Sequence, residues 1–185
     1  MRIIAGEKRS RRLQTLEGLD TRPTLDRVKE ALFSILSPHI AGARVLDLYA
    51  GSGALALEAL SRGAESAVLC DVSRKACQVI AANIAALDYG KKARLLCMPD
   101  SAALALLQKE RAAFDLIFLD PPYRMETAGV CGLMQEAGLL SPGGIIIVEH
   151  AREKEPPPVS GLTAFDRRQY GIAGLTFYCR SGEES

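Results

Sequence analysis

The segment Val45-Leu46-Asp47-Leu48-Tyr49-Ala50-Gly51-Ser52-Gly53 runs from an apolar strand into a glycine turn, and residues 54–61 continue as a helix that ends before Gly63. A strand, a glycine turn and a helix in this order are typical of the first unit of a nucleoside-binding α/β sheet. Glycine in the turn lets a ligand approach the backbone, because no Cβ blocks it. The segment therefore predicts both the fold class and the place of a cofactor site.

Apolar runs of strand length elsewhere in the chain predict the rest of the sheet. Beyond about residue 40 they alternate with stretches of helical period, which is typical of a parallel α/β sheet. The predicted strands are 43–48, 66–71, 93–97, 114–119 and 144–149, followed by a hairpin of 162–170 and 173–180. We expect an α/β, Rossmann-like fold: a mostly parallel seven-stranded sheet with an antiparallel C-terminal hairpin and a small N-terminal β/α extension.

The N-terminal extension, residues 1–40, precedes a main domain of residues 41–185. We expect a small hairpin of 2–5 and 11–15, and then a helix over 25–36 that Pro38 ends. Five basic residues face one acid, Glu7, in the first twelve positions, although the net charge of the whole chain is only +1. This segment predicts contacts with nucleic-acid phosphates, and a solvated, partly frayed terminus is the alternative.

Composition excludes several classes of protein. The five cysteines are odd in number and include no Cys-x-x-Cys pair, so reduced thiols fit better than a disulfide framework or a zinc site. No apolar run approaches the roughly 20 residues that a membrane span requires. We expect a cytoplasmic monomer that binds neither metal nor membrane.

Two carboxylates near the glycine turn bear on the identity of the cofactor. Gly51-x-Gly53-x-x-Ala56 matches the dinucleotide fingerprint, and Asp71, twenty residues after Gly51, can accept hydrogen bonds from ribose hydroxyls. Asp47, at the end of the first strand, would repel a pyrophosphate and attract an ammonium group. This favours S-adenosylmethionine over NAD, and the alternative is that Asp47 only caps the loop.

Asp100 and Tyr49 are further candidates for the cofactor site, each with a structural alternative. Asp100 follows the third strand and could accept the adenine amine, or it could cap a helix that begins at Ser101. Tyr49 could line the pocket, or it could pack beside the turn.

Asp120-Pro121-Pro122-Tyr123 follows the strand 114–119 and is the most specific motif of the chain. Two prolines force the chain out of the sheet at the edge where ligands bind. The Asp120 carboxylate and the Pro121 carbonyl can each accept one N–H of an exocyclic base amine, while Tyr123 stacks on the extruded base. The motif predicts a methyl acceptor site, and a plain loop with a capping aspartate is the alternative.

With both motifs placed, the chain resembles the class I S-adenosylmethionine-dependent methyltransferases and is similar to the bacterial small-subunit ribosomal RNA guanine-N2 methyltransferase D family. The similarity includes the opening 2–9, the segment 22–33 and the closing 170–178. It implies methylation of a guanine N2 in 16S rRNA, within a small-subunit assembly particle. It also implies that Arg22, Pro23 and Thr24 border the pocket, and that Val72 packs against the adenine.

The residue patterns and this resemblance together give three sets of candidate residues. The catalytic set is Asp120, Pro121, Pro122 and Tyr123. The cofactor set is Asp47, Tyr49, Ala50, Gly51, Ser52, Gly53, Asp71, Val72, Asp100 and Ser101. The RNA-binding set is Arg2, Lys8, Arg9, Arg11, Arg12, Arg22 and Thr24.

The same motifs are compatible with other functions. Asp-Pro-Pro-Tyr also serves adenine N6 in DNA, and a related loop serves glutamine amides in proteins. The glycine fingerprint leaves room for a nicotinamide-dependent oxidoreductase. A noncatalytic RNA-binding module on the same fold is a further possibility.

Overall fold

The computed structural model describes residues 1–16, 23–121 and 127–183, with the side chains of residues 23–27 left aside. Its strands are β1 (Arg44–Asp47), β2 (Ser66–Asp71), β3 (Ala93–Cys97), β4 (Phe114–Leu119), β5 (Leu140–Ala151), β6 (Leu162–Tyr170) and β7 (Ala173–Arg180). Its helices are α1 (Pro23–Ile35), α2 (Ser37–Ile40), α3 (Ala54–Ser61), α4 (Arg74–Ala86), α5 (Asp100–Lys109) and α6 (Thr127–Glu136).

The strands form one sheet of order β3-β2-β1-β4-β5-β7-β6. Strands β1, β2 and β3 are mutually parallel, and β4 is parallel to β5. Strand β7 runs antiparallel to both β5 and β6, so the last two strands form the predicted hairpin. The predicted fold class is confirmed.

The first of two compact units is Met1–Asp100, in which α3 packs on β1 and β2 while α4 packs on β2 and β3. The buried face of α4 includes Ala76, Ile80 and Asn83, at the helical spacing read from the sequence. The core of this unit is mostly apolar, and Asn83 is one of its buried polar residues, with 1% of its surface exposed. The predicted boundary at residue 40 thus falls inside this unit and stays a prediction.

The second unit is Ser101–Ser185 and contains β4 to β7 with α5 and α6. Strand β5 begins at Leu140, four residues before the predicted start at Gly144. The ladder explains the difference: Phe114 pairs with Leu140, Leu116 pairs with Ile145, and the register shifts between them. The extra residues form a bulge, which tolerates a proline that a regular ladder would reject.

The predicted N-terminal hairpin of 2–5 and 11–15 is confirmed in part: Arg2 and Arg12 form an antiparallel bridge, in which the Ile3 N–H donates to the Arg11 carbonyl at 2.9 Å and the Leu13 N–H donates to the Met1 carbonyl at 3.0 Å. The N–H groups of Ile4 and Ala5 donate instead to the Glu58 carboxylate, at 2.8 and 2.9 Å. Beyond the bridge, a side chain of α3 therefore takes the place of a partner strand for these two residues. This contact also anchors the segment, which is not a frayed terminus.

The predicted helix over 25–36 corresponds to α1, which ends before Pro38 as expected, and a short second helix that was not predicted follows it. Helix α1 ends at Ile35, and Pro38 lies in the first turn of α2. Proline is tolerated there because the first-turn N–H has no helical acceptor to lose.

Candidate functional site

The glycine loop after β1 adopts a conformation that requires glycine. Gly51 has φ of 56° and Gly53 has φ of 78°, both in the left-handed region. A Cβ on Gly53 would lie 2.9 Å from the Leu69 Cδ2, whereas the space beside Gly51 is open. Gly53 therefore allows α3 to pack on β2, and Gly51 leaves room beside the backbone.

Asp71 joins the end of β2 to this loop. Its Oδ2 accepts the Gly51 N–H at 2.9 Å, and its Oδ1 accepts the Ser73 N–H at 2.8 Å. Each carboxylate oxygen can accept a further hydrogen bond, so a ribose hydroxyl can still bind here. Val72, the next residue, exposes 68% of its surface, which is unusual for a large apolar side chain and suits packing against an aromatic ring.

Asp47 lies at the end of β1 but is only 1% exposed. Its Oδ2 accepts the Ala56 N–H of the first turn of α3, at 3.3 Å. The structure therefore supports the capping alternative for this residue. Its contact with an ammonium group stays a prediction.

Tyr49 and Asp100 meet, although they are distant in sequence. The Tyr49 hydroxyl donates to the Asp100 Oδ2 at 2.6 Å, and both residues are half-buried. Asp100 is the first residue of α5 and the acid of its first turn, and its contact with the adenine amine stays a prediction. Ala50 is buried, Ser52 is half-buried, and Ser101 is exposed.

Asn83 is a residue that the sequence did not identify as part of the site. Its Nδ2 donates to the Ser52 carbonyl at 2.9 Å and to the Gln14 carbonyl at 3.0 Å, and its Oδ1 accepts the Gln14 N–H at 2.8 Å. It thus ties the N-terminal segment to the glycine loop. A polar residue on an otherwise apolar helical stripe is the signal that could have found it.

The acceptor residues lie in the second unit, at the end of β4. Asp120 is exposed and Pro121 is buried, while Pro122 and Tyr123 lie outside the described residues. Solvent reaches the Asp120 carboxylate, but the protein around it desolvates the group and raises its pKa to about 6. Because the cofactor set lies mostly in the other unit, the approach of Asp120 to the glycine loop stays a prediction.

Glu149 of β5 is a carboxyl group that interacts with Asp120. The sequence did not identify it as a site residue. Burial first, and the charge of Asp120 second, raise the pKa of Glu149 to about 8. Such a pair holds its protons jointly, so a proton is retained there at neutral pH. An acid at the end of an apolar strand was the available signal.

The basic residues of the N-terminal segment are mostly at the surface. Arg2, Arg9, Arg11 and Arg12 are exposed and Lys8 is half-buried. The Arg11 guanidinium donates to the Ala86 carbonyl at 3.1 Å. Arg22 and the Thr24 side chain lie outside the described part of the chain.

Metal-ligand clusters and membrane-spanning helices are both absent from the part of the chain that the structure describes. No group of three or more His, Cys, Asp or Glu residues is placed to hold a metal ion. No helix has both the length and the apolar character to cross a membrane. The five cysteines are all free thiols, and Cys97 is the exposed member.

Comparison with known proteins gives a match over nearly the whole chain. Residues 1–179 match the family model described as conserved hypothetical protein 95. Ribosomal RNA small subunit methyltransferase D of Escherichia coli K12 is 37% identical over 179 residues, covering 96% of this chain and 87% of the relative. The protein of that name from Haemophilus influenzae is 32% identical, covering 96% and 93%.

Solved structures agree with these sequence matches. The yhhF protein of Escherichia coli superposes with a TM-score of 0.86 at 32% identity, covering 99% of both chains. A hypothetical protein of Thermus thermophilus superposes with a TM-score of 0.82 at 30% identity, covering 96% of this chain and 98% of the other.

Proposed function

We propose a methyltransferase function from one premise: this chain belongs to the family of conserved hypothetical protein 95, and with it to the ribosomal RNA small subunit methyltransferase D family. The reaction is transfer of a methyl group from S-adenosylmethionine to the exocyclic N2 of a guanine in 16S rRNA. The observation that carries the proposal is similarity over almost the full length of relatives with that name, with the Asp120-Pro121 acceptor motif directly after β4.

The first unit fits S-adenosylmethionine better than a dinucleotide. Its loop presents open space beside Gly51, a carboxylate at Asp71, and an exposed apolar surface at Val72. Carboxylates suit ribose hydroxyls, an ammonium group and a sulfonium, and they repel a pyrophosphate. When bound, the cofactor would supply an activated methyl group.

The acceptor residues would orient the amine. A base amine is a weak nucleophile because its lone pair is delocalised into the ring. The Asp120 carboxylate and the Pro121 carbonyl would accept its two N–H groups and favour a pyramidal nitrogen. With a pKa of about 6, Asp120 is mostly ionised at pH 7, as this role requires.

The basic N-terminal segment would hold the RNA. Its exposed arginines can pair with phosphates, which position the substrate without reading its sequence. We propose Arg2, Lys8, Arg9, Arg11, Arg12, Arg22 and Thr24 as the RNA-binding set. The assembling small subunit is the proposed substrate particle, and the protein acts on it as a monomer.

The test is methyl transfer to small subunits from a strain that lacks the corresponding gene. With tritiated S-adenosylmethionine, we expect label in 16S rRNA, and nucleoside mass spectrometry should identify N2-methylguanine. Label in duplex DNA or in release factor instead would overturn the rRNA assignment. Stabilisation by NADH rather than by S-adenosylhomocysteine would favour an oxidoreductase.

Asp120→Ala is the first predicted variant. We expect the single-turnover rate to fall by at least about 100-fold, because one oriented acceptor is lost, while affinity for S-adenosylhomocysteine is retained. Asp166→Ala is the control: this half-buried carboxylate of β6 pairs with Arg168 at 3.0 Å, and the variant should keep its rate. Full activity in Asp120→Ala would contradict the proposed role.

A further inference from the structure

Strands β4 and β5 bring two carboxyl groups together at their carboxyl ends. Leu119 pairs with Val148 in the parallel ladder. The residue after each of them is an acid: Asp120 directly follows β4, and Glu149 lies on β5. The charge of Asp120 acts on Glu149, in agreement with this adjacent placement.

Strand β7 places an apolar residue beside Glu149. Leu175 of β7 lies directly across from it. The neighbouring His150 points to the opposite face of β5, where its Nε2 lies 3.0 Å from the Thr176 hydroxyl. Glu149 is half-buried, so solvent compensates its charge only in part.

Helix α6 packs on β5, and none of its residues before Glu136 is charged. Cys131 is its buried thiol, and Glu136 is its last residue. Arg124 and Glu126 lie outside the described residues. Among the described residues, Asp120 is therefore the charged group that acts on Glu149.

A carboxyl pair of this kind divides its hydrogen-bonding roles at neutral pH. Burial and the neighbouring charge raise the pKa of Glu149 to about 8, further than burial raises the pKa of Asp120, to about 6, so near neutral pH the pair holds one proton mainly on Glu149. The ionised member can only accept hydrogen bonds, and the neutral member can donate one. Enzymes use a carboxylic acid kept neutral by its surroundings as such a donor.

We propose that Glu149 is a base-binding residue of the acceptor site: as a neutral acid it donates a hydrogen bond to the guanine N3, the ring acceptor that flanks N2, while Asp120 accepts from the amine. This inference rests on the proposed function. The two carboxyl groups would then match an acceptor and a donor that are adjacent on one edge of the base. Ionisation of Glu149 would remove the donor and place a second negative charge against N3.

The test is the pH dependence of the single-turnover methylation rate between pH 5.5 and 9.5, with small subunits from the deletion strain as substrate. For the unmodified protein we expect a bell-shaped profile, with a fall of about tenfold or more from pH 7.5 to 9.5. Glu149→Gln cannot ionise and still donates, so its rate should change less than about twofold over that range. Glu149→Leu, which cannot donate, should be slower by about tenfold or more at pH 7.

Glu155→Gln is the matched control, because its side chain is exposed, and its profile should follow that of the unmodified protein. Binding of S-adenosylhomocysteine by each variant checks that it is folded. An alkaline fall that persists in Glu149→Gln, or full activity in Glu149→Leu, would overturn the role of Glu149. No methylation by the unmodified protein at any pH would instead overturn the proposed function, and the inference with it.

Discussion

At the residue scale, the two glycines of the loop are required for different reasons. Both have positive φ, but only Gly53 also lies against side chains, with Leu69 on one side and Leu57 on the other. Gly51 instead faces open space and donates its N–H to Asp71. The second glycine therefore serves packing, and the first leaves the open space in which the proposed cofactor would approach the backbone.

We predict that Gly53→Ala lowers the free energy of unfolding by more than Gly51→Ala does. Both changes introduce left-handed strain of roughly 1 kcal/mol, and Gly53→Ala adds overpacking of about 1–3 kcal/mol. Urea unfolding of both variants measures the difference. Equal losses would show that the contact with Leu69 relaxes at no cost.

At the element scale, Glu58 of α3 anchors the N-terminal segment. This fully buried carboxylate accepts the Ile4 and Ala5 N–H groups and pairs with Lys29 at 3.2 Å and with Arg62 at 2.8 Å. Hydrogen bonds and two cations thus compensate its burial. The basic residues of the segment are held by this network on an ordered backbone.

We predict that Glu58→Ala lowers the free energy of unfolding by about 3–5 kcal/mol, because Lys29, only 5% exposed, would keep a buried charge without this carboxylate. Amide hydrogen exchange at Ile4 and Ala5 should accelerate at the same time. The control is Glu65→Ala, at an exposed position, for which we expect a change within about 0.5 kcal/mol. Unchanged exchange at Ile4 would argue against anchoring by Glu58.

The same segment gives a prediction for RNA affinity. Removing the exposed Arg9 and Arg12 together should weaken binding and reduce the slope of log K against log salt by about 1.4–1.8, the value for two lost phosphate contacts. Arg152→Ala with Lys154→Ala removes the same charge elsewhere and should leave the slope nearly unchanged. Filter binding at several salt concentrations measures both. Equal slopes in the two double variants would contradict an RNA-binding role for this segment.

At the scale of the whole molecule, Glu149 affects stability as well as chemistry. Folding raises the pKa of Glu149 from 4.5 to about 8. Between these pH values, ionisation of Glu149 therefore lowers the free energy of the unfolded chain more than that of the folded protein. The group therefore contributes a loss of stability that grows as pH rises from about 4.5 to 8. Asp120 acts in the same direction over a narrower range.

We accordingly predict that Glu149→Gln raises the Tm at pH 8 by on the order of a few degrees relative to the unmodified protein. The gain should shrink towards pH 4.5, where Glu149 is half protonated even in the unfolded chain. Thermal unfolding at the two pH values measures it, with Glu155→Gln as the control. A gain that is the same at both values would mean that the ionisation of Glu149 is not responsible.

The sequence alone was sufficient for the strand order, because buried parallel strands are nearly continuous apolar runs and the turns between them are marked by glycine and proline. It also placed Gly51, Asp71 and Asp120 at strand ends, since those motifs are local. The seven strands and the C-terminal hairpin were predicted correctly on these grounds.

Only the tertiary structure decided how distant residues are used. The N–H groups of Ile4 and Ala5 donate to Glu58 of α3. Asn83 donates to the Ser52 carbonyl, and the β4–β5 register places Glu149 beside Asp120. Each of these depends on a contact between segments far apart in the chain. Local propensity and periodicity carry no information about such partners, so the sequence determined the elements, and packing determined which polar groups meet.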